Sequence, residues 1–68
     1  MKNSIKVERA KKGLTQADLA EKVGVSRQTI NSIEKGRFVP STVLALKIAH
    51  VFGETVDLIF ALEEEDWE

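Results

Sequence analysis

The chain has 68 residues and no cysteine, which sets it at the low end of sizes that bury a core unaided and rules out a disulfide framework or a thiolate metal centre. No apolar run approaches the roughly 20 residues needed to cross a bilayer, and the opening MKNSIKVERAKK lacks the apolar centre of a secretion signal, so a cytoplasmic location is expected. The net charge of −1 conceals a division: residues 1–50 carry ten bases against four acids, and residues 51–68 carry seven acids and no base.

In chain order, Ile5, Val7, Arg9 and Ala10 form a loose helical stripe that predicts a first helix over about Asn3 to Lys12, closed by Gly13. Thr15 with Asp18 three residues on has the form of a capping box and starts a second helix, Gln16 to Val23. Gly24 suits the left-handed position after a helix, and only Val25 separates it from Ser26, a good N-cap for a third helix over Arg27 to Lys35 that ends at Gly36. After the loop Arg37 to Pro40, Ser41 caps a strongly apolar fourth helix, Thr42 to Phe52, with Leu44, Ile48 and Phe52 four apart and Ala45 and Ala49 beside them. Gly53 stops it, and Thr55 is placed to cap a short fifth helix containing Val56, Leu58, Ile59 and Phe60. The pattern predicts an all-α, compact five-helix domain over residues 1–60, an acidic tail over 61–68, and no strand pairing.

The junction of the second and third helices is the most informative stretch. Two short helices joined by a three-residue turn hold the second one out from the body at a steep angle. Its first side chains then reach a major groove about 12 Å wide, whose base edges carry a unique donor and acceptor code. Here these include Arg27, Gln28 and Asn31, types that pair bidentately with guanine or adenine. A plain solvated helix face has the same composition. The basic part of the chain could meet a polyanion if the acidic end points away, though that end is equally read as a solvated terminus.

The stretch TQADLAEKVGVSRQTINSIEKGRFVPSTVLALKIAHVFG resembles the lambda-repressor-like, or xenobiotic-response-element, helix-turn-helix family. The likeness runs from about Ile5 to Phe60 and rests jointly on LTQ, the small residue in LA, the turn VGVS, the IE pair before Gly36 and PS opening the fourth helix. It implies a five-helix domain that binds double-stranded operator DNA as a homodimer, most often to repress transcription. By matching position, the resemblance implies that Arg27, Gln28 and Ser32 face bases, with Thr29 and Asn31 flanking them. It assigns Gln16 to a phosphate and to bracing the first residues of the third helix, and Ser26 to capping that helix and reaching a phosphate. Lys35 and Arg37 match a basic loop that supplies sequence-independent affinity; solubilising charges would use the same residues.

Arg9 and Glu34 match a pair that joins the first helix to the end of the third, which implies a partly buried ion pair. The expected core is Leu14, Leu19, Ala20, Val23, Val25, Ile30, Ile33, Leu44, Ile48, Ala49, Phe52, Ile59 and Phe60. Glu8 departs from the family pattern, where many relatives carry an apolar residue; with Val7 apolar instead, a slightly rotated or shifted first helix is expected.

A homodimer follows from geometry, because one recognition helix reads few bases and a two-fold pair sets two of them about 34 Å apart on one face of the duplex. Val56, Leu58, Leu62 and Trp67 near the fifth helix are the candidate contact; a disordered tail with one stray aromatic is the other reading. The chain has one histidine, no Gly-rich phosphate loop and no hydroxyl with a legible base partner, so neither an enzyme, a metal site nor a cofactor is expected. His50 is read as a surface or rim residue. The alternative on the same fold is a protein-interaction role, as the antitoxin of a toxin pair or an adaptor to the transcription machinery. The short stretch after the fifth helix favours the regulator.

Overall fold

The computed structural model describes all 68 residues, in the order β1 (Lys2–Asn3), α1 (Ile5–Lys12), α2 (Gln16–Val23), α3 (Arg27–Glu34), α4 (Thr42–Phe52), α5 (Val56–Ile59), β2 (Phe60–Ala61) and a closing 3-10 turn, Glu64–Trp67. The five expected helices are present, each close to its predicted limits. None is long and apolar enough to cross a membrane.

The helix starts follow from their caps. Thr15 and Asp18 form a reciprocal box: the Asp18 N–H donates to Thr15 Oγ1 and the Thr15 N–H to Asp18 Oδ2, both at 3.0 Å. The Thr15 amide, and then its hydroxyl, hold the Asp18 carboxyl below its ordinary pKa. Ser26 Oγ accepts from the Thr29 N–H at 3.1 Å and Ser41 Oγ from the Leu44 N–H at 3.2 Å. Thr55, expected to cap α5, makes no side-chain cap bond, and α5 is held by packing of Ile59 instead.

Both ends of the chain depart from the sequence expectation. The first helix begins at Ile5 rather than Asn3, because Asn3 Oδ1 accepts the Ile5 N–H at 3.2 Å and Asn3 Nδ2 donates to the Ile33 carbonyl at 2.9 Å. That turns Lys2–Asn3 into a strand, antiparallel to Phe60–Ala61 with Lys2 opposite Ala61 and Asn3 opposite Phe60. Phe60, expected within the fifth helix, is extended (φ −113°, ψ 138°) and buried. The boundary read at residue 60 thus falls inside β2. The tail that follows is tied back: the Met1 amine lies 3.0 Å from Glu63 Oε1 and 3.0 Å from Asp66 Oδ2.

One cluster of 13 buried side chains forms the core. Its five fully buried large members, Ile5, Leu19, Ile30, Ile33 and Ile48, come from α1, α2, α3 and α4, so each major helix is anchored by at least one side chain that gains about 1.5–3 kcal/mol from leaving water. Ile5 and Ala45 belong to it without having been expected; Leu14 and Val25 were expected there but pack against it half-buried. In α1 the expected rotation that would exchange Glu8 for Val7 on the inward face is not found. Ile5 and Glu8 turn inward and Val7 is 56% exposed, so the inward face carries a carboxylate. Glu8 meets Lys11 Nζ at 3.2 Å.

Candidate nucleic-acid interface

The turn between α2 and α3 consists of Gly24, Val25 and Ser26. Gly24 sits at φ 77°, with its N–H donating to the Glu21 carbonyl and the Val25 N–H to the Ala20 carbonyl at 3.0 Å. A Cβ on Gly24 would meet nothing within 4 Å, so glycine is required there by the left-handed dihedral and not by space. Ser26 then opens α3, and its hydroxyl also lies 2.9 Å from Thr29 Oγ1.

Ile30 and Ile33 bury one face of α3. On the other side Arg27 and Gln28 are exposed, Thr29, Asn31 and Ser32 are half-buried, and Lys35 and Arg37 are exposed beyond the helix end. Ser26, Gln28, Thr29, Ser32 and Arg37 come together around an open depression of about 400 Å³, with Phe38 as its apolar wall. The loop that carries Arg37 and Phe38 leaves α3 in a fixed direction: the Gly36 N–H donates to the Ile33 carbonyl at 3.0 Å and the Arg37 N–H to the Ser32 carbonyl at 2.9 Å, with Gly36 at φ 73°. These are the two bonds of a Schellman closure.

Behind this face a polar chain locks three helices together. Arg9 Nε donates to Glu34 Oε2 at 2.7 Å and Arg9 Nη2 to Glu34 Oε1 at 2.9 Å, while Arg9 Nη1 donates to the Leu14 carbonyl at 3.0 Å. The hydrogen bonds to Glu34 raise the Arg9 pKa further against the opposing effect of burial. Gln16 Nε2 donates to Glu34 Oε1 and to Asn31 Oδ1, both at 3.2 Å. Gln16 therefore braces the second half of α3, not its first residues. Both Gln16 amide hydrogens are engaged, so gripping a phosphate requires releasing one of these bonds. Asn31 is likewise turned toward α2 and does not line the depression with Gln28.

The four candidate dimer residues are not brought to one spot. Val56 is half-buried beside an apolar depression of about 330 Å³ that includes Met1, Val39, Leu46 and Phe60. Leu58, Leu62 and Trp67 are exposed at 66%, 58% and 78%, and Leu58 lines a different depression, with Lys2 and Asp57. His50 is exposed on α4. No group of three or more His, Cys, Asp or Glu converges as a metal site would need. Sequence reasoning missed Phe38 and the Gln16–Asn31 bond. An aromatic in a loop between a base and a proline was the available signal for the first, and the second had none.

The helix-turn-helix family HTH_3 matches residues 5–59 of this chain. The chain belongs to that family of transcriptional regulators. It is 54% identical over 66 residues to the uncharacterized HTH-type transcriptional regulator MJ0272 of Methanocaldococcus jannaschii, covering 97% of this chain and 100% of that protein. It is 52% identical over 66 residues to the uncharacterized regulator YgzD of Bacillus subtilis, with the same coverage. Among solved structures, a chain of the SinR–SinI protein complex superposes with a TM-score of 0.76 at 31% identity, covering 94% of this chain and 63% of that one. The clp gene regulator ClgR of Corynebacterium glutamicum gives 0.72 at 35%, covering 76% and 55%. The family is one of DNA-binding transcriptional regulators and is non-enzymatic.

Proposed function

We propose that this regulator is a repressor that binds a palindromic operator as a homodimer, with α3 in the major groove. The observation that carries the reading is the convergence of Ser26, Gln28, Thr29, Ser32 and Arg37 on one open face of the helix-turn-helix unit. In this reading Arg27, Gln28 and Ser32 read bases, Thr29 and Asn31 set their positions, and Ser26, Gln16, Lys35 and Arg37 hold phosphates. The dimer contact would draw on the exposed Leu58, Leu62 and Trp67, with Val56 on a separate depression contributing only if the partner spans both. Binding would occlude a promoter, with occupancy following protein concentration through the dimer equilibrium.

Selection from a randomised duplex pool tests this. A palindromic motif is expected, with Gln28→Ala relaxing one position in each half and Arg37→Ala weakening all sequences alike and lowering the salt slope by about one. The absence of any motif at moderate salt moves the function to protein partners. That second reading has support in the similar fold of a chain solved within the SinR–SinI complex; a partner that binds the α5 side would distinguish it.

A further inference from the structure

We infer that Phe38 is a sequence-reading residue of this interface, its ring taking the C5-methyl of a thymine beside the base pair met by Gln28. The inference rests on the DNA-reading role proposed for α3. Phe38 is 48% exposed and is not among the side chains packed on the core, so folding does not account for a large apolar group there. It is the one hydrophobic residue in the depression that holds Gln28, Ser32 and Arg37. Its position is set from both sides. The Schellman bonds of Gly36 and Arg37 fix the chain before it, and buried Pro40 anchors the chain after it, so little ordering entropy opposes a contact.

The chemistry selects the occupant. Base edges in the major groove present donors, acceptors and one apolar group, the thymine methyl. A phenyl ring has no hydrogen-bonding atom and so distinguishes a base only through that methyl. The Gln28 amide, which lines the same depression, matches the N6 and N7 atoms of adenine, which makes an A·T-containing step the unit read by the two side chains together. Arg37, adjacent in sequence and in the same depression, would hold the flanking phosphate and keep the ring at the groove edge.

The test uses the full chain and the duplex recovered by selection. Each thymine of one half-site is replaced singly by uracil, which deletes the methyl and nothing else. For the wild-type chain one such replacement is expected to weaken binding about fourfold, the value of one buried methyl-sized group. Phe38→Ala should bind the thymine and uracil duplexes equally while keeping its discrimination at the Gln28 position. A flat uracil scan for the wild type, or an unchanged thymine-to-uracil ratio in Phe38→Ala, overturns the inference. So does a uniform loss on all duplexes in Phe38→Ala, which would make the ring a sugar contact. If selection yields no motif at all, the DNA-reading role fails first and this inference falls with it; a motif with a flat scan removes Phe38 alone.

Discussion

The α2–α3 unit and the terminal clasp of β1, β2 and the closing turn are both held by hydrogen bonds and charges, yet they rest on different physics. In the first, Arg9 and Glu34 have side chains only 14% and 8% exposed, their donors and acceptors are shared with Leu14 and Gln16, and Leu19, Ile30 and Ile33 lie behind them fully buried. In the second, two strands of two residues each are closed by an amine and carboxylates at the surface, where water and salt compete. The orientation of α3 is therefore expected to be insulated from solution conditions, and the arrangement of the chain ends to respond to them.

The largest break should come from the core of the first region. Leu19→Ala is expected to cost about 3 kcal/mol, within the range for a fully buried leucine, and chemical denaturation followed by helical circular dichroism measures it; a loss below ~1 kcal/mol would mean that the site collapses around the cavity. Next, Arg9→Ala is expected to cost about 2–3 kcal/mol, because it leaves Glu34 partly buried with only Gln16 as a donor. The double variant Arg9→Ala/Glu34→Ala should lose less than the sum of the singles, and strict additivity in that cycle would show that the pair is not coupled.

A smaller effect is expected at the turn. Gly24→Ala should lose about 1 kcal/mol through the left-handed dihedral alone, since there is space for the methyl group. A loss several times larger would place a steric contact there.

The smallest effects belong to the clasp, and they sharpen the contrast by their pH dependence. Backbone donation from Glu63, and then the Met1 amine, lower the Asp66 pKa from its ordinary 3.8. Its contribution is therefore full above that value and is lost as pH falls through the depressed one. Hydrogen bonds that the amine donates to the Glu63 and then the Asp66 carboxylate raise its pKa from the ordinary 8.0, so that contribution is full below 8.0 and is lost as pH rises through the raised value. Amide exchange at Ser4, whose N–H donates to Ile59 at 2.9 Å, is expected to speed up, beyond its intrinsic pH dependence, at both extremes and in high salt. Protection at Ile30 and Ile33 should not follow it. Parallel loss at both places would erase the distinction between the regions.

The helical part was legible because each boundary carries its own local chemistry. Thr15, Ser26 and Ser41 cap with their own hydroxyls, and the residues that end the helices act within a few positions of themselves. The division of α3 into a buried face at Ile30 and Ile33 and an exposed one at Arg27 and Gln28 was legible for the same reason, since spacing on one short helix determines which residues share a face. Asn31 and Gln16 were only partly legible: their types suit DNA contacts, but the bond between them at 3.2 Å depends on how α2 crosses α3. Val7 and Glu8 exchanged roles, Val7 exposed and Glu8 buried, because neighbouring residues on a helix differ by 100° of rotation and only packing against α4 selects which one turns inward.

From the residues alone came the five helices, the tight turn and the polar face of α3, all properties written in local hydrogen bonding and helical periodicity. Tertiary structure alone decided the pairing of Lys2–Asn3 with Phe60–Ala61, the anchoring of the acidic tail on Met1, the linkage of Gln16 to Asn31 and the placement of Phe38 on the depression that Gln28 also lines. Each of these joins residues distant along the chain or on separate elements, and a two-residue strand or a single side-chain contact has no period that a sequence could display.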